Sequence, residues 1–158
     1  MNYEISTAQT DDFLSVAALD RIAWPDINDT FIPDGEHIWR VWCDHATLLV
    51  AKVTDREPLS ETHEVAGALV MFPSKTGQLF LHKIMVHPVC RGKGVGTALM
   101  KTALSETDVP VLLTVDPENV PAVTLYEQFG FRSREQIDGY YRPHEDRLIM
   151  GFMPAATS

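Results

Sequence analysis

The chain has 158 residues, with 13 Lys and Arg against 22 Asp and Glu, a formal charge of −9, and 45% hydrophobic residues. That length suits one domain over residues 1–158 with a core that needs no staples. The acid excess argues against a nucleic-acid partner, which requires a broad basic face, and against an anionic membrane surface. Cys43 and Cys90 are the only cysteines, too few for a metal cluster or a disulfide framework, and read as thiols in a reducing compartment. The start, Met1-Asn2-Tyr3-Glu4-Ile5, lacks a signal-peptide layout, and the longest apolar run, residues 65–72, is too short to span a bilayer. A cytoplasmic protein with no membrane partner is expected.

In chain order, Tyr3–Thr7 reads as a first strand, and Thr10, Asp11 and Asp12 offer caps for a helix to about Arg21. Phe13, Val16, Ala17 and Asp20 share one face of that helix. A loop over residues 24–34 is broken by Pro25 and Pro33, and a second helix follows over residues 35–45. Strands are expected at 47–53, 64–72 and 78–86, the last two joined by a turn through Gly77. A helix over 94–104, an apolar strand over 109–115 and a helix over 119–129 come next, and strands at 131–137 and 147–152 close the chain. The alternation predicts an α/β (α+β) fold, a mixed sheet with helices on both faces.

The most informative segment follows the strand ending at Val86. His87-Pro88 stops the strand, and Arg91-Gly92-Lys93-Gly94-Val95-Gly96-Thr97 opens a helix. Such a turn presents backbone N–H groups at the positive end of a helix dipole, a site for phosphate. Glycines allow close backbone approach, and Arg91, Lys93 and the Thr97 hydroxyl add charge and a donor. No acid occurs from Val65 through Ser105, so the turn sits in a locally basic stretch of an acidic chain. The dinucleotide pattern G-x-G-x-x-G fails, because Gly96 comes one residue early and Thr97 takes the third glycine place. The nucleoside-triphosphate pattern fails too, having no four-residue spacer before Gly-Lys and no carboxylates nearby for magnesium.

The run Arg91-x-x-Gly94-x-Gly96 after Val86-His87-Pro88 resembles the acetyl-CoA pyrophosphate loop of the GNAT superfamily of N-acetyltransferases. A second stretch, from Leu113 through Asn119, Tyr126 and Gly130 to Phe131, resembles the strand, helix and Gly-Phe turn that follow in that superfamily. The two motifs come in the family's order and cover roughly the second half of the chain. The resemblance implies a central mixed, mostly antiparallel, twisted sheet of about six to seven strands, splayed at the acetyl-CoA site and flanked by about four helices. It implies acetyl-CoA as cosubstrate and direct transfer of the acetyl group to an amine.

On that reading the pantetheine arm pairs with the backbone of Ile84, Met85 and Val86, and the pyrophosphate sits on the N–H groups of Arg91, Gly92, Lys93, Gly94, Val95, Gly96 and Thr97. Tyr126 stands where the family's tyrosine protonates the departing thiolate. Phenol has a reference pKa near ~10 and thiol near ~8.5, so a neutral phenol can donate. Asn119, two helical turns before it, caps the helix or contacts the coenzyme A arm. His82 is the candidate base, standing where many relatives carry Glu, with Asp116, Glu64 or a water chain as alternatives. Cys90 has no evident base beside it and is not expected to act as a nucleophile. The six histidines show no metal-ligand spacing, and no metal is expected.

The acceptor site is expected from the 24–34 loop, the second helix and residues 138–147, with Trp24, Trp39, Trp42, Tyr140 and Tyr141 as aromatic surface and Asp26, Asp29 and Asp34 favouring a cationic amine. The segment from Gly139 to Met150 resembles the ending of protein N-terminal acetyltransferases and of some small-molecule acetyltransferases, so both peptide and small amines stay open. Two functions of different class remain: a working enzyme, and a silent acyl-CoA-binding sensor or interaction module. The resemblance leaves a homodimer open.

Overall fold

The computed structural model describes residues 2–24, 33–55 and 64–155. These form two compact units, Met1–Phe72 with His82–Ser105, and Pro73–Leu81 with Glu106–Ser158.

In the first unit, β1 (Tyr3–Thr7) pairs antiparallel with β2 (Thr47–Val53), and β2 with β3 (Val65–Pro73), the latter ladder shifting at Ala51/Lys52. Two helices, α1 (Phe13–Ile22) and α2 (Glu36–His45), send Val16, Leu19 and Trp39 into one buried cluster with Leu48, Ala68 and Val70. The predicted first helix begins instead with a 3-10 turn, Thr10–Asp12. Asp12 reaches back there to accept from the Gln9 N–H at 2.7 Å, tightening the entry.

Seven consecutive residues of β3, Val65 to Met71, are buried, the pattern of a strand covered on both faces. The second cover is α3 (Val95–Ser105), against Gly67. A Cβ on Gly67 would lie 2.8 Å from the Met85 carbonyl oxygen and 2.8 Å from Val95 Cγ1. Glycine is therefore required for α3 to rest directly on the sheet, and α3 carries the glycine turn at its N-terminus.

The second unit contains the start of β4 (Leu79–Val86), which pairs parallel with β5 (Val111–Val115) through Leu79–Val111 and Phe80–Leu112. Pro110 has no N–H to give a ladder, and its carbonyl accepts from Leu79 N–H at 2.9 Å, so β5 begins two residues later than its apolar run. Strand β5 pairs antiparallel with β7 (Arg147–Phe152), and β7 with the edge strand β6 (Arg132–Ile137). Hydrogen bonding thus runs β1-β2-β3-β4-β5-β7-β6, a seven-stranded mixed and mainly antiparallel order, as the resemblance implied. Among the described residues no helix is long and apolar enough to cross a membrane.

The last helix, α4 (Val120–Gln128), has Asn119 as its N-cap, whose Oδ1 accepts from Ala122 N–H at 3.3 Å. It ends in a left-handed glycine, Gly130 at φ +103°. Gly130 N–H donates to Glu127 O at 3.0 Å and Phe131 N–H to Tyr126 O at 3.0 Å, the paired bonds of a Schellman ending.

The close approach at Gly67 gives a direct test. Gly67→Ala should lose about 1–3 kcal/mol of stability in urea denaturation, because neither a backbone carbonyl nor the buried Val95 can yield freely. An unchanged midpoint would show that α3 does not rest on β3 as described.

Candidate active site

The glycine turn is a conformational necessity. Gly92 and Gly94 have φ of +75° and +81°, where side-chain-bearing residues are strained. Beyond them α3 starts at Val95, and its first-turn N–H groups have no intrahelical acceptors. Val95 is buried and serves as the foot of the turn, while Arg91, Gly92, Lys93, Gly94 and Thr97 are exposed. A Cβ on Gly92 would meet nothing within 4 Å, so the outer side of the turn is open. At Gly96 a Cβ would reach Val86 Cγ2 at 3.4 Å, which ties the turn to the end of β4. These features suit an anion bound by main-chain amides. The Arg91 guanidinium lies back against the end of α1, donating to Ala23 O at 2.6 Å, an anchor not visible in the sequence. Cys90 is buried, and burial pushes its thiol up despite Lys93 nearby, which opposes a nucleophilic role.

Around β4 of the same unit lies a network that sequence reasoning missed in its main part. Asp20 is wholly buried. Its carboxylate accepts from Trp24 Nε1 at 3.0 Å, Trp39 Nε1 at 3.3 Å, Asp34 N–H at 2.7 Å and Lys83 Nζ at 3.0 Å. Lys83 also stands 3.2 Å from Asp34 Oδ2, and that oxygen is 2.8 Å from His82 Nε2. The available clue was an acid on the apolar stripe of α1, shared with Val16 and Ala17. Asp34 is desolvated, which would raise its carboxyl, but the His82 hydrogen bond and the Lys83 charge outweigh this and hold it below the usual range.

Trp39 is fully buried and belongs to the core, which corrects the expectation that it offers acceptor surface. Trp42 stacks on Phe72 at 5.1 Å, with the His82 ring 5.7 Å from it. Trp24 is half-buried, with Lys83 Nζ 5.8 Å from its ring centre. The expected acids Asp26 and Asp29 lie outside the described residues.

In the second unit, Tyr126 is fixed from both ends. Its carbonyl takes part in the helix ending, and its ring meets Phe131 edge-on at 5.8 Å. Burial pushes its phenol up from the ordinary value, so it is neutral at physiological pH. Asn119 is exposed beside its capping bond. Asp116 accepts from Glu118 N–H at 2.9 Å and shapes the turn before α4, while Glu64 is exposed at the start of β3. Tyr140 and Tyr141 are exposed and meet edge-on at 4.8 Å, and Arg147 lies 4.9 Å from the Tyr141 ring. Among the described residues no group of three or more His, Cys, Asp or Glu could hold a metal ion.

Residues 16–131 match the model of the acetyltransferase (GNAT) family. A segment of 66 residues is 36% identical to an uncharacterized N-acetyltransferase of Methanocaldococcus jannaschii, covering 39% of this chain and 29% of that protein. A second uncharacterized N-acetyltransferase of the same organism is 34% identical over 73 residues, 42% of this chain and 46% of that protein. The matches thus span less than half the length of either relative. Among solved structures, the ribosomal-protein-S18-alanine N-acetyltransferase of Escherichia coli superposes with a TM-score of 0.78 at 21% identity, over 99% of this chain and 97% of that one. The structure of yncA from Salmonella typhimurium with its cofactor acetyl-CoA superposes with a TM-score of 0.74 at 17% identity, over 100% of this chain and 97% of that one. Both likenesses are of fold.

The depressed carboxyl of Asp34 sets a pH dependence. A lowered folded-state value contributes stability above the ordinary 3.8, which is lost as pH falls through the folded value. Asp34→Asn should therefore be less stable than wild type at neutral pH, with the gap closing as pH falls below the ordinary 3.8 and through the lowered folded value in urea titrations. A gap independent of pH would contradict the ionic role of Asp34.

Proposed function

The chain belongs to the GNAT family of acetyltransferases, and on that premise we propose that it is a cytoplasmic acetyl-CoA-dependent N-acetyltransferase acting on a primary amine, either a small molecule or a peptide N-terminus. The observation that carries the reading is the turn of left-handed Gly92 and Gly94 opening α3, whose N-terminal amides fit a diphosphate. Bound acetyl-CoA supplies an activated acetyl thioester.

In this proposal the N–H groups of Arg91 to Thr97 hold the pyrophosphate, and Lys93 adds a mobile positive charge. The backbone of Ile84, Met85 and Val86, leading into the turn, pairs with the pantetheine arm. Trp24, Tyr140 and Tyr141 contact the acceptor. The neutral amine attacks the thioester carbon, a C–N bond forms and the C–S bond breaks. His82 takes the proton released by nitrogen, and Tyr126 gives its phenolic proton to the departing sulfur. Holding both reactants in line supplies most of the acceleration. What supports Tyr126 as the acid is its neutral, partly buried phenol, locked by the Gly130-Phe131 helix ending. The apolar packing with Phe131 equally serves stability, so the Phe variant keeps the ring and removes only the hydroxyl.

The test is thiol release from acetyl-CoA across a panel of small amines and short peptides. Wild type should turn over at least one amine, and Tyr126→Phe should lower kcat about a hundredfold while coenzyme A binding is retained. Tight coenzyme A binding with no turnover of any amine by wild type would instead identify a silent binding module.

A further inference from the structure

The His82–Asp34 contact decides which nitrogen of His82 is able to accept a proton. The Asp34 carboxylate is anchored at both ends of the residue. Its N–H donates to the buried Asp20 at 2.7 Å, and its Oδ2 lies 3.2 Å from Lys83 Nζ, itself 3.0 Å from Asp20. Asp34 is thus built into the core through Asp20 rather than left to sample solvent. An ionised carboxylate can only accept hydrogen bonds. At 2.8 Å from Asp34 Oδ2, His82 Nε2 must then be the protonated nitrogen of the neutral ring. The lone pair is left on Nδ1, which has no hydrogen-bond partner among the described residues. The ring is flanked by Trp42 and Phe72, at 5.7 and 6.2 Å, and the side chain keeps 30% of its surface exposed. It is held on its sides and open at an edge.

We propose that Asp34 is the positioning residue of the reaction, fixing His82 in the Nε2–H form so that Nδ1 receives the proton of the acceptor amine. This rests on the reading of His82 as the base. The amine proton passes to Nδ1 as the C–N bond forms, the imidazolium is stabilised by the Asp34 carboxylate through Nε2–H, and no other reactant is consumed. Lys83 favours the ionised carboxylate from 3.2 Å, and because a carboxylate oxygen carries two lone pairs, Oδ2 can accept from both the ammonium and Nε2–H.

The experiment joins a spectroscopic readout to a mutant cycle. In nitrogen-15 NMR spectra of the neutral wild-type ring, His82 should show a protonated Nε2 and an unprotonated Nδ1, and Asp34→Asn should populate both tautomers. In turnover, Asp34→Asn should lower kcat about tenfold to a hundredfold with KM for acetyl-CoA little changed. The double variant Asp34→Asn/His82→Ala should be no slower than His82→Ala alone, since Asp34 acts only through the ring. A wild-type ring protonated at Nδ1, or penalties of the two substitutions that simply add, would overturn the proposal. The tautomer is read without substrate, and coenzyme A binding is measured beside it. Loss of the acetyltransferase reading is thus separable from loss of this one.

Discussion

The buried carboxylate of Asp20 is the interaction on which the first unit depends. An ionised acid with no exposure is costly unless every oxygen is satisfied. Here two indole N–H groups, one main-chain N–H and the Lys83 ammonium converge on it. Those donors come from Trp24 just past α1, Trp39 of α2, Asp34 in the segment before α2 and Lys83 of β4. One buried charge therefore sets the mutual position of four segments, and removing the lysine alone would leave an uncompensated anion in the core. The network also carries Asp34 to His82, so the geometry of a candidate base is inherited from the packing of the core.

A second constraint is steric. Gly67 lets α3 lie on β3 closer than any side chain would permit, and the turn before α3 needs two left-handed residues. The same helix is thus pressed down along its body and opened at its N-terminus. This combination holds the unsatisfied amides of a helix end in a fixed position, the arrangement on which the proposed diphosphate site rests. Arg91 illustrates the division of labour. Its guanidinium secures the turn to Ala23, while the Lys93 side chain stays exposed beside the main-chain amides of the turn.

Much of this was legible in the residues. The strand and helix pattern appears in periodicity, and the glycine turn and the Asn119-to-Phe131 helix stand out because left-handed and capping positions admit few residue types. Asn119 does cap α4, and Gly130-Phe131 does close it. What stayed hidden depends on contacts distant in sequence. Asp20 lies 63 residues from Lys83, and nothing local distinguishes it from a surface acid except its place on an apolar stripe. His82 stood out as a titratable group on a strand, but its partner Asp34 is 48 residues away and lay in what reads as a polar loop. Trp39 looked like acceptor surface because a tryptophan beside polar residues gives no sign that an acid waits in the core for its indole N–H. The start of β5 shifted for a simpler reason, the missing N–H of Pro110.

The account stands or falls on the main-chain amides of residues 91–97 holding the diphosphate of coenzyme A. Isothermal titration calorimetry compares coenzyme A with pantetheine, which keeps the thiol arm and lacks the diphosphate. Saturable heat at one equivalent for coenzyme A and none for pantetheine is the predicted result. No heat with coenzyme A, or equal binding of the two, would contradict it.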